Sequence, residues 1–392
     1  MVNVREGLKL CATLRDGNGV VCVAEDIVHS DLSLCLELKI PAERRRLWSP
    51  RDPHLYEIDL ELFDDAGVLL DSALTYAGLR GIAIEGQQIK LNGEVLFQRL
   101  VLNQGYYPVG LMTAPTDDDL KRDIQLSLDA GFNGARLHQK VFEERFLYHA
   151  DKMGYLCWGA FPDWGCRGLW PDEERMYHGI TFAAQWMETV ERDFSYPCLI
   201  GWCPLNETYQ ELRNRITELD DAARAMYLIT KGVDPTRPVL DASGYSHRVP
   251  ATDIYDCHDY EQNPDIFREH HAGLADGKPF LNGPRVRPWN ITYRNQPFFV
   301  SEFGGVRWNA EEAAKDLWGY GERPNNVEEW FARIKGLCEV LLQNPHMFGY
   351  YYTQLTDTFQ EQNGIYTFDR QPKYDIAKIA EVQKQTAAIE KL

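Results

Sequence analysis

Two short segments each run from apolar residues into a glutamate: Trp202-Cys203-Pro204-Leu205-Asn206-Glu207 and, 95 residues later, Phe299-Val300-Ser301-Glu302-Phe303-Gly304. A continuous apolar run of this length suits a strand buried on both faces, as in a parallel sheet, and a charge at its end belongs at the rim of that sheet. If the sheet closes into a barrel, strand ends meet at one mouth, where a carboxylate is usually present for chemistry. Two glutamates meeting there could form the acid/base and nucleophile pair that cleaves a glycosidic bond with retention, a reaction needing carboxyls about 5 to 5.5 Å apart.

The elements that must position them follow from the hydropathy pattern. Residues 1 to about 80 alternate short strand-like runs (8–14, 20–24, 33–40 and 55–63) with turns such as Asp16-Gly17-Asn18-Gly19 and Asp64-Asp65-Ala66-Gly67. Within 55–63, the alternation of Tyr56, Ile58, Leu60 and Leu62 predicts a half-buried strand of an antiparallel sandwich. From about residue 88 the rhythm becomes strand, loop, helix, the pattern of a parallel sheet wrapped by helices. Strands are expected at 96–102, 133–137, 156–161, 199–204, 239–242, 254–257, 298–301 and 348–353. Helices are expected at 117–128, with Thr116 as N-cap, at 143–153, closed by Gly154, and at 182–194, 215–232, 327–343 and from 375 onward. The fold class is therefore α/β: a (β/α)8 barrel at 83–392, preceded by a small immunoglobulin-like β-sandwich at 1–82.

On this frame the strand ends carry a dense polar ring. Strand two brings Arg136, His138 and Gln139; strand three Asp163 and Trp164; strand four Asn206 and Glu207; strand five Asp241 and Ser243. Strand six adds His258 and Tyr260, strand seven Glu302, and strand eight Gln354 and Asp357. Asn206 is placed to hydrogen-bond a sugar 2-hydroxyl, and Arg136 to keep a nearby carboxylate ionised. Trp164 is the best placed tryptophan for stacking on a sugar. His138, His258 and Asp163 could also suggest a metal cluster, but no HxH or HExxH spacing supports it.

Composition narrows the partner. The 392 residues include 59 acidic and 41 basic side chains, a formal charge of −18 that argues against nucleic acid or an anionic membrane and favours a neutral substrate. The basic run Arg44-Arg45-Arg46 reads as solvated surface. No apolar run reaches the length of a bilayer span. The nine cysteines, at 11, 22, 35, 157, 166, 198, 203, 257 and 338, contain no CxxC pair and read as reduced core residues of a cytoplasmic protein.

Taken together, the motifs resemble those of glycoside hydrolase family 2, the β-galactosidases, β-glucuronidases and β-mannosidases. Leu47-Trp48-Ser49-Pro50 with Pro53-His54-Leu55-Tyr56 is similar to the family's sandwich motif, and Gly78-Leu79-Arg80 with Leu91-Asn92-Gly93 to its entry to the barrel. Phe132 to His138, Arg192 to Pro197 leading into Asn206-Glu207, Ser301 to Gly304, and Asn363-Gly364-Ile365 with Asp369-Arg370 and Pro372-Lys373 resemble the barrel motifs in order.

The resemblance implies an exo-acting retaining β-glycosidase, most nearly β-galactosidase-like, with Glu207 as acid/base, Glu302 as nucleophile and Tyr260 touching the nucleophile. It implies a carbohydrate substrate, no required cofactor, and homo-oligomers as found among relatives. The chain departs from the family in three ways. The jelly-roll domain that normally precedes the sandwich is not expected in it, which leaves a non-catalytic sugar-binding remnant as the alternative reading. Ala160 stands where many relatives place an acidic residue, and Leu102-Asn103-Gln104-Gly105 lacks the histidine often found near the first strand, so the divalent metal of some β-galactosidases is not supported. The Asn-x-Lys motif of β-glucuronidases is not evident in Gln360-Glu361-Gln362-Asn363-Gly364, which disfavours a uronic acid. A β-glucuronidase or β-mannosidase specificity remains the second alternative.

Overall fold

The computed structural model describes residues 7–28, 34–164, 179–284, 288–308 and 317–392. The described chain divides into two compact units, 1–80 with 195–197 and 81–194 with 198–392.

In the first unit β1 (Lys9–Asp16), β2 (Gly19–Ile27), β3 (Tyr56–Phe63) and β4 (Leu69–Ala77) form one antiparallel sheet in the order β2-β1-β3-β4. The β1–β2 hairpin turns at Asp16-Gly17-Asn18-Gly19, where the Asp16 carboxylate accepts from Asn18 N at 2.8 Å and Gly19 adopts φ +98°, open to glycine without cost. Residues 34–40 form no strand, against the expectation for 33–40, of which residue 33 lies outside the described residues. β4 escaped the sequence reading because Leu69, Leu70 and Leu74 are exposed, which removes the alternation that marks a half-buried strand. The basic run is engaged within the unit: Arg44 pairs with Asp16 at 2.6 Å and Arg46 with Asp52 at 2.5 Å.

The second unit opens on a small antiparallel sheet of β5 (Ile82–Glu85), β6 (Gln88–Leu91) and β7 (Glu94–Val95). Then follow β8 (Gln98–Asn103), α1 (Asp117–Asp129), β9 (Gly134–Leu137), α2 (Glu144–Met153), β10 (Leu156–Ala160), α3 (Ile180–Asp193), β11 (Leu199–Cys203) and α4 (Glu218–Val233). After these come β12 (Tyr255–Asp259), α5 (Pro264–Ala272), β13 (Phe298–Gly304), α6 (Val327–Leu342), β14 (Met347–Thr353) and α7 (Ile376–Gln383). Seven of the strands form a curled parallel sheet in the order β11-β10-β9-β8-β14-β13-β12, the frame of a TIM-barrel-like α/β fold.

The expected fifth strand is not a ladder. Segment 239–243 meets β11 and the residues after it only through isolated parallel bridges, Trp202 with Val239 and Asn206 with Ser243. Pro238 has no N–H to donate, and Asp241 N donates to Thr252 Oγ1 at 3.2 Å instead of to a neighbouring strand. This short stave still holds the loop that carries Glu207: Ser243 N donates to Leu205 O at 2.8 Å and Glu207 N to Ser243 O at 2.9 Å.

Local signals hold at the helix ends. Thr116 accepts from Asp119 N to cap α1, Thr217 and Asp220 form a capping box on α4, and Gly154 closes α2 at φ +69°. α5 was not expected from the sequence; its N-cap is Asn263, with Pro264 at its first position. α7 ends at Gln383, short of the expected run to the C-terminus.

The β10–β11 ladder is locked by two reciprocal tryptophan–glycine pairs, one on each face of the sheet, where Trp158 faces Gly201 and Gly159 faces Trp202. A Cβ on Gly201 would stand 2.6 Å from the Trp158 ring, and one on Gly159 would stand 2.5 Å from Trp202. Both rings are buried and tethered, Trp158 Nε1 donating to Gln98 Oε1 and Trp202 Nε1 to Asp234 Oδ2, each at 2.8 Å. Gly201→Ala is therefore expected to destabilise by about 1 to 3 kcal/mol, the usual cost of overpacking a filled core. Chemical denaturation of the two proteins checks this, and an unchanged midpoint would mean that the rings have room to move.

The eight described cysteines carry free thiols; Cys166 lies outside the described residues. Five are buried in the barrel unit, but Cys11 and Cys22 are half-buried and Cys35 is exposed, so the expectation that all are core residues fails for the first unit. No helix among the described residues is long and apolar enough to cross a membrane.

Candidate active site

The chain leaves β11 through Pro204-Leu205-Asn206 and turns sharply at Glu207, whose φ of +50° lies in the left-handed region that a non-glycine residue seldom adopts. Strain of this kind is kept where a side chain must be aimed. The Glu207 carboxylate is held at both ends: Oε1 lies 2.8 Å from His258 Nδ1, and Oε2 accepts from Trp164 Nε1 at 2.9 Å.

Glu302 sits within β13, 4 % exposed, and is held by three neighbours. Arg136 donates from Nη1 to Oε1 at 2.8 Å, Tyr260 donates its hydroxyl to Oε2 at 2.5 Å, and His258 Nδ1 lies 3.4 Å from Oε2. Burial pushes the Glu302 carboxyl above the ordinary range; His258 pulls it back, the Glu207 charge adds to the rise, and Arg136 and Tyr260 oppose it. The binding atoms of Glu207, His258 and Glu302 all lie within 4.8 Å of one another.

Arg136 is wholly buried, and its second arm, Nη2, donates to Asn206 Oδ1 at 2.6 Å, so one guanidinium orients both the asparagine and Glu302. Asn206 N in turn donates to Asp163 Oδ2 at 2.8 Å, while Gln139 Nε2 holds the Asp163 carbonyl at 2.7 Å. Asp163 thus holds the Asn206 backbone. Among the described residues, the ligand-type groups that cluster here are Glu207, His258 and Glu302, without Asp163. Trp164 is 55 % exposed at the mouth, with its indole N–H on Glu207.

His138 is half-buried, with its buried Nδ1 lacking a hydrogen-bond partner, 3.8 Å from Glu302 Oε1. Burial, with the Arg136 and His258 charges, holds this ring neutral. Tyr260 is positioned by a face-to-face stack on Tyr320, centroids 3.3 Å apart, and by Thr353 Oγ1 at 3.2 Å from its hydroxyl.

On the last strand's loop, Gln354 accepts from Gln104 Nε2 and donates to Asn363 Oδ1, both at 2.9 Å. Gln104 and Asn363 also donate to Glu361, at 3.0 and 3.2 Å. Burial raises the Glu361 carboxyl, and the Glu302 charge raises it further. Asp357 is turned away from this group: its Oδ1 accepts from Lys373 Nζ at 2.8 Å and from Gly364 N at 2.9 Å, clamping its own loop.

The structure therefore gathers Glu207, Glu302, Arg136, Asn206, His138, His258, Tyr260 and Trp164 around one mouth. Asp163 and Gln354 act as orienting residues, and Asp357 is a loop clamp. Sequence reasoning missed Tyr320, which comes from a loop with no periodic pattern, and Glu361 with Asn363, whose clustering with Gln104 and Gln354 is created only by barrel closure.

A divalent metal fits this donor set poorly. The Glu302 oxygens already accept from Arg136 and Tyr260, and the Glu207 oxygens are engaged by Trp164 Nε1 and His258 Nδ1. A cation would have to displace these donors beside the Arg136 charge.

Residues 6–80 match the model of the Glycosyl hydrolases family 2. A β-galactosidase of Psychromonas ingrahamii is 30 % identical over 72 % of this chain, and one of Vibrio cholerae is 26 % identical over 86 % of it. The chain belongs to glycoside hydrolase family 2. It spans only 26 % and 32 % of those two relatives' lengths. The family's fold is equally plain in solved structures. A β-D-glucuronidase of Dictyoglomus thermophilum superimposes with a TM-score of 0.74 at 19 % identity, covering 97 % of this chain and 65 % of that one. A β-galacturonidase of Eisenbergiella tayi bound to galacturonate gives 0.73, at 19 % identity over 97 % of this chain and 68 % of that one.

Proposed function

We propose that this family 2 chain is a retaining, exo-acting β-glycosidase that hydrolyses terminal non-reducing β-linked sugars, with Glu302 as nucleophile and Glu207 as acid/base. The observation that carries this reading is the closeness of the two carboxylates. An oxygen of each within 4.8 Å of the other suits the roughly 5 to 5.5 Å separation of a retaining pair better than the about 6.5 to 9.5 Å of an inverting pair.

Glu302, gripped by Arg136 and Tyr260, attacks the anomeric carbon as Glu207 protonates the departing oxygen. Water then releases the sugar, giving its proton to Glu207 as the bond to Glu302 breaks. Asn206, aimed by Arg136, meets the 2-hydroxyl, and the unpartnered His138 Nδ1 meets a second hydroxyl.

A neutral glycone of the β-galactoside kind is supported by the Glu361 carboxylate in the group around Gln104, Gln354 and Asn363, and by Lys373, which is held by Asp357. A uronate would meet a half-buried carboxylate there and no uncommitted lysine on that loop. The test is a panel of nitrophenyl β-glycosides with the first-formed anomer read by proton NMR. A β-anomer from a neutral glycone is expected. Initial α-product would overturn retention, preference for a glucuronide would overturn the glycone class, and binding without turnover would favour the non-catalytic alternative.

A further inference from the structure

His258 stands between the two glutamates, and its other face leads away from the substrate. Its ring is built in closely: Gly244, at φ +66°, passes so near that a Cβ there would lie 2.4 Å from the imidazole. Asn282 clasps its backbone with bonds of 2.9 and 2.7 Å. Nε2 lies 2.9 Å from Ser243 Oγ, Ser243 donates to Ser301 Oγ at 3.1 Å, and Ser301 donates to Asp256 Oδ2. Asp256 Oδ1 is 3.0 Å from His247 Nε2, whose Nδ1 is 2.8 Å from Asp241 Oδ1. All of these side chains are buried.

The directions along this chain are set by chemistry. A carboxylate oxygen only accepts, so the Ser301 proton goes to Asp256 and the Ser301 oxygen receives the Ser243 proton. The Ser243 oxygen is then left to accept from the ring, and Nε2 must carry a hydrogen. That leaves Nδ1 facing Glu207 Oε1 at 2.8 Å with room for one proton between them.

We propose that His258 is a positioning residue for the acid/base glutamate: the serine relay fixes its tautomer with hydrogen on Nε2, so that Nδ1 and Glu207 Oε1 share the single proton used in the reaction. This rests on the glycosidase reading above. In the first step the shared proton passes to the glycosidic oxygen as the C–O bond breaks and Glu302 bonds to the anomeric carbon. Glu207 is then an anion facing the lone pair of Nδ1, a pairing that makes it a stronger base for water. In the second step water gives its proton to the pair, its oxygen bonds to carbon, and Glu302 leaves as carboxylate.

The charges facing His258 agree with this role. Burial opposes the cationic ring, but Glu302 and Glu207 from the neighbouring elements and Asp256 on β12 outweigh it and raise its pKa above the usual histidine value. Arg136 on β9 and His138 just after it are the opposing basic groups near the pair, and the Tyr245 ring stands edge-on at 5.8 Å. At the far end His247 is raised to about 10: burial lowers it, but Asp241 and Asp256 prevail, and the relay stays anchored to a cation.

Nitrogen-15 NMR of histidine-labelled protein tests this directly, with the His258 signals assigned by their loss in His258→Asn. Wild type should show hydrogen on Nε2 at every pH and titration at Nδ1 only, with the midpoint falling by about one pH unit or more in Glu207→Gln, the size of shift a close charge partner produces. A neutral form with hydrogen on Nδ1, or a midpoint unmoved by Glu207→Gln, would overturn the proposal.

Kinetics give the second readout. His258→Asn should lose on the order of 10-fold or more in kcat/KM on an alkyl glycoside, which needs general acid help, while a dinitrophenyl glycoside loses much less. Its high-pH limb should also move to lower pH. Equal losses on both substrates with unmoved limbs would mark a merely structural role. A wild type that turns over neither substrate defeats the glycosidase reading instead, while the NMR result still decides the proton sharing.

Discussion

Glu302→Gln should lower kcat on an aryl β-glycoside by about 10⁴ to 10⁶-fold, the scale seen when a covalent nucleophile is removed while the rest of a site remains. The amide can still accept from Tyr260 but cannot bond to the anomeric carbon. It also leaves the buried Arg136 without its anionic partner, so a melting curve must accompany the assay to separate lost chemistry from lost folding. Glu302→Gly supplies the complementary observation. Azide should enter the vacated space and restore turnover, giving an α-glycosyl azide, because a single displacement inverts the centre. More than a tenth of wild-type activity in Glu302→Gln, or no azide product, would place the nucleophile elsewhere. Wild type adds a pH signature. As the proposed nucleophile, Glu302 must be ionised, and its pKa is raised above 4.5, chiefly by burial against the pull of His258. The acid limb should therefore lie above the ordinary glutamate value, with activity falling as pH drops through it.

The second large effect is a dependence on leaving group. Glu207→Ala removes the proposed proton donor, which should cost about 10² to 10⁴-fold when the departing oxygen is a poor leaving group and far less for dinitrophenolate, which leaves without help. Azide should speed release of the glycosyl-enzyme in this variant and give a β-glycosyl azide, opposite in configuration to the product of Glu302→Gly. A uniform loss across the leaving-group series would remove Glu207 from the acid role. Trp164, whose indole N–H sits on Oε2, is left without that acceptor in the variant.

Much of this site could be read in the chain because its parts carry strong local signals. An apolar run that gives way to Asn206-Glu207 or to Glu302 marks a buried strand carrying a charge toward its C-terminal end, although β13 runs on to Gly304, and Thr116 and Gly154 mark the flanking helix ends. The polar rim could be read for the same reason, since each strand end nominates the next few residues. Other parts had no local signature. Segment 239–243 is a stave tied by two bridges, too irregular for period-two patterning. Asp357 looked like a rim residue by position, but Lys373, 16 residues on, turns it into a clamp. The Asp241–His247–Asp256 ion group joins a stave, a loop and a strand, so no spacing could announce it.

The paired tryptophans and glycines of β10 and β11 bear on how such a barrel can change over generations. Each ring occupies the volume that its partner glycine leaves free, so neither strand can accept a larger residue alone. A lineage could exchange large for small only by altering both members of a pair together, and the intermediate with two large residues would be overfilled while the one with two small would be hollow. These four positions should therefore be inherited as one block, held still beneath a rim whose loops are free to diversify.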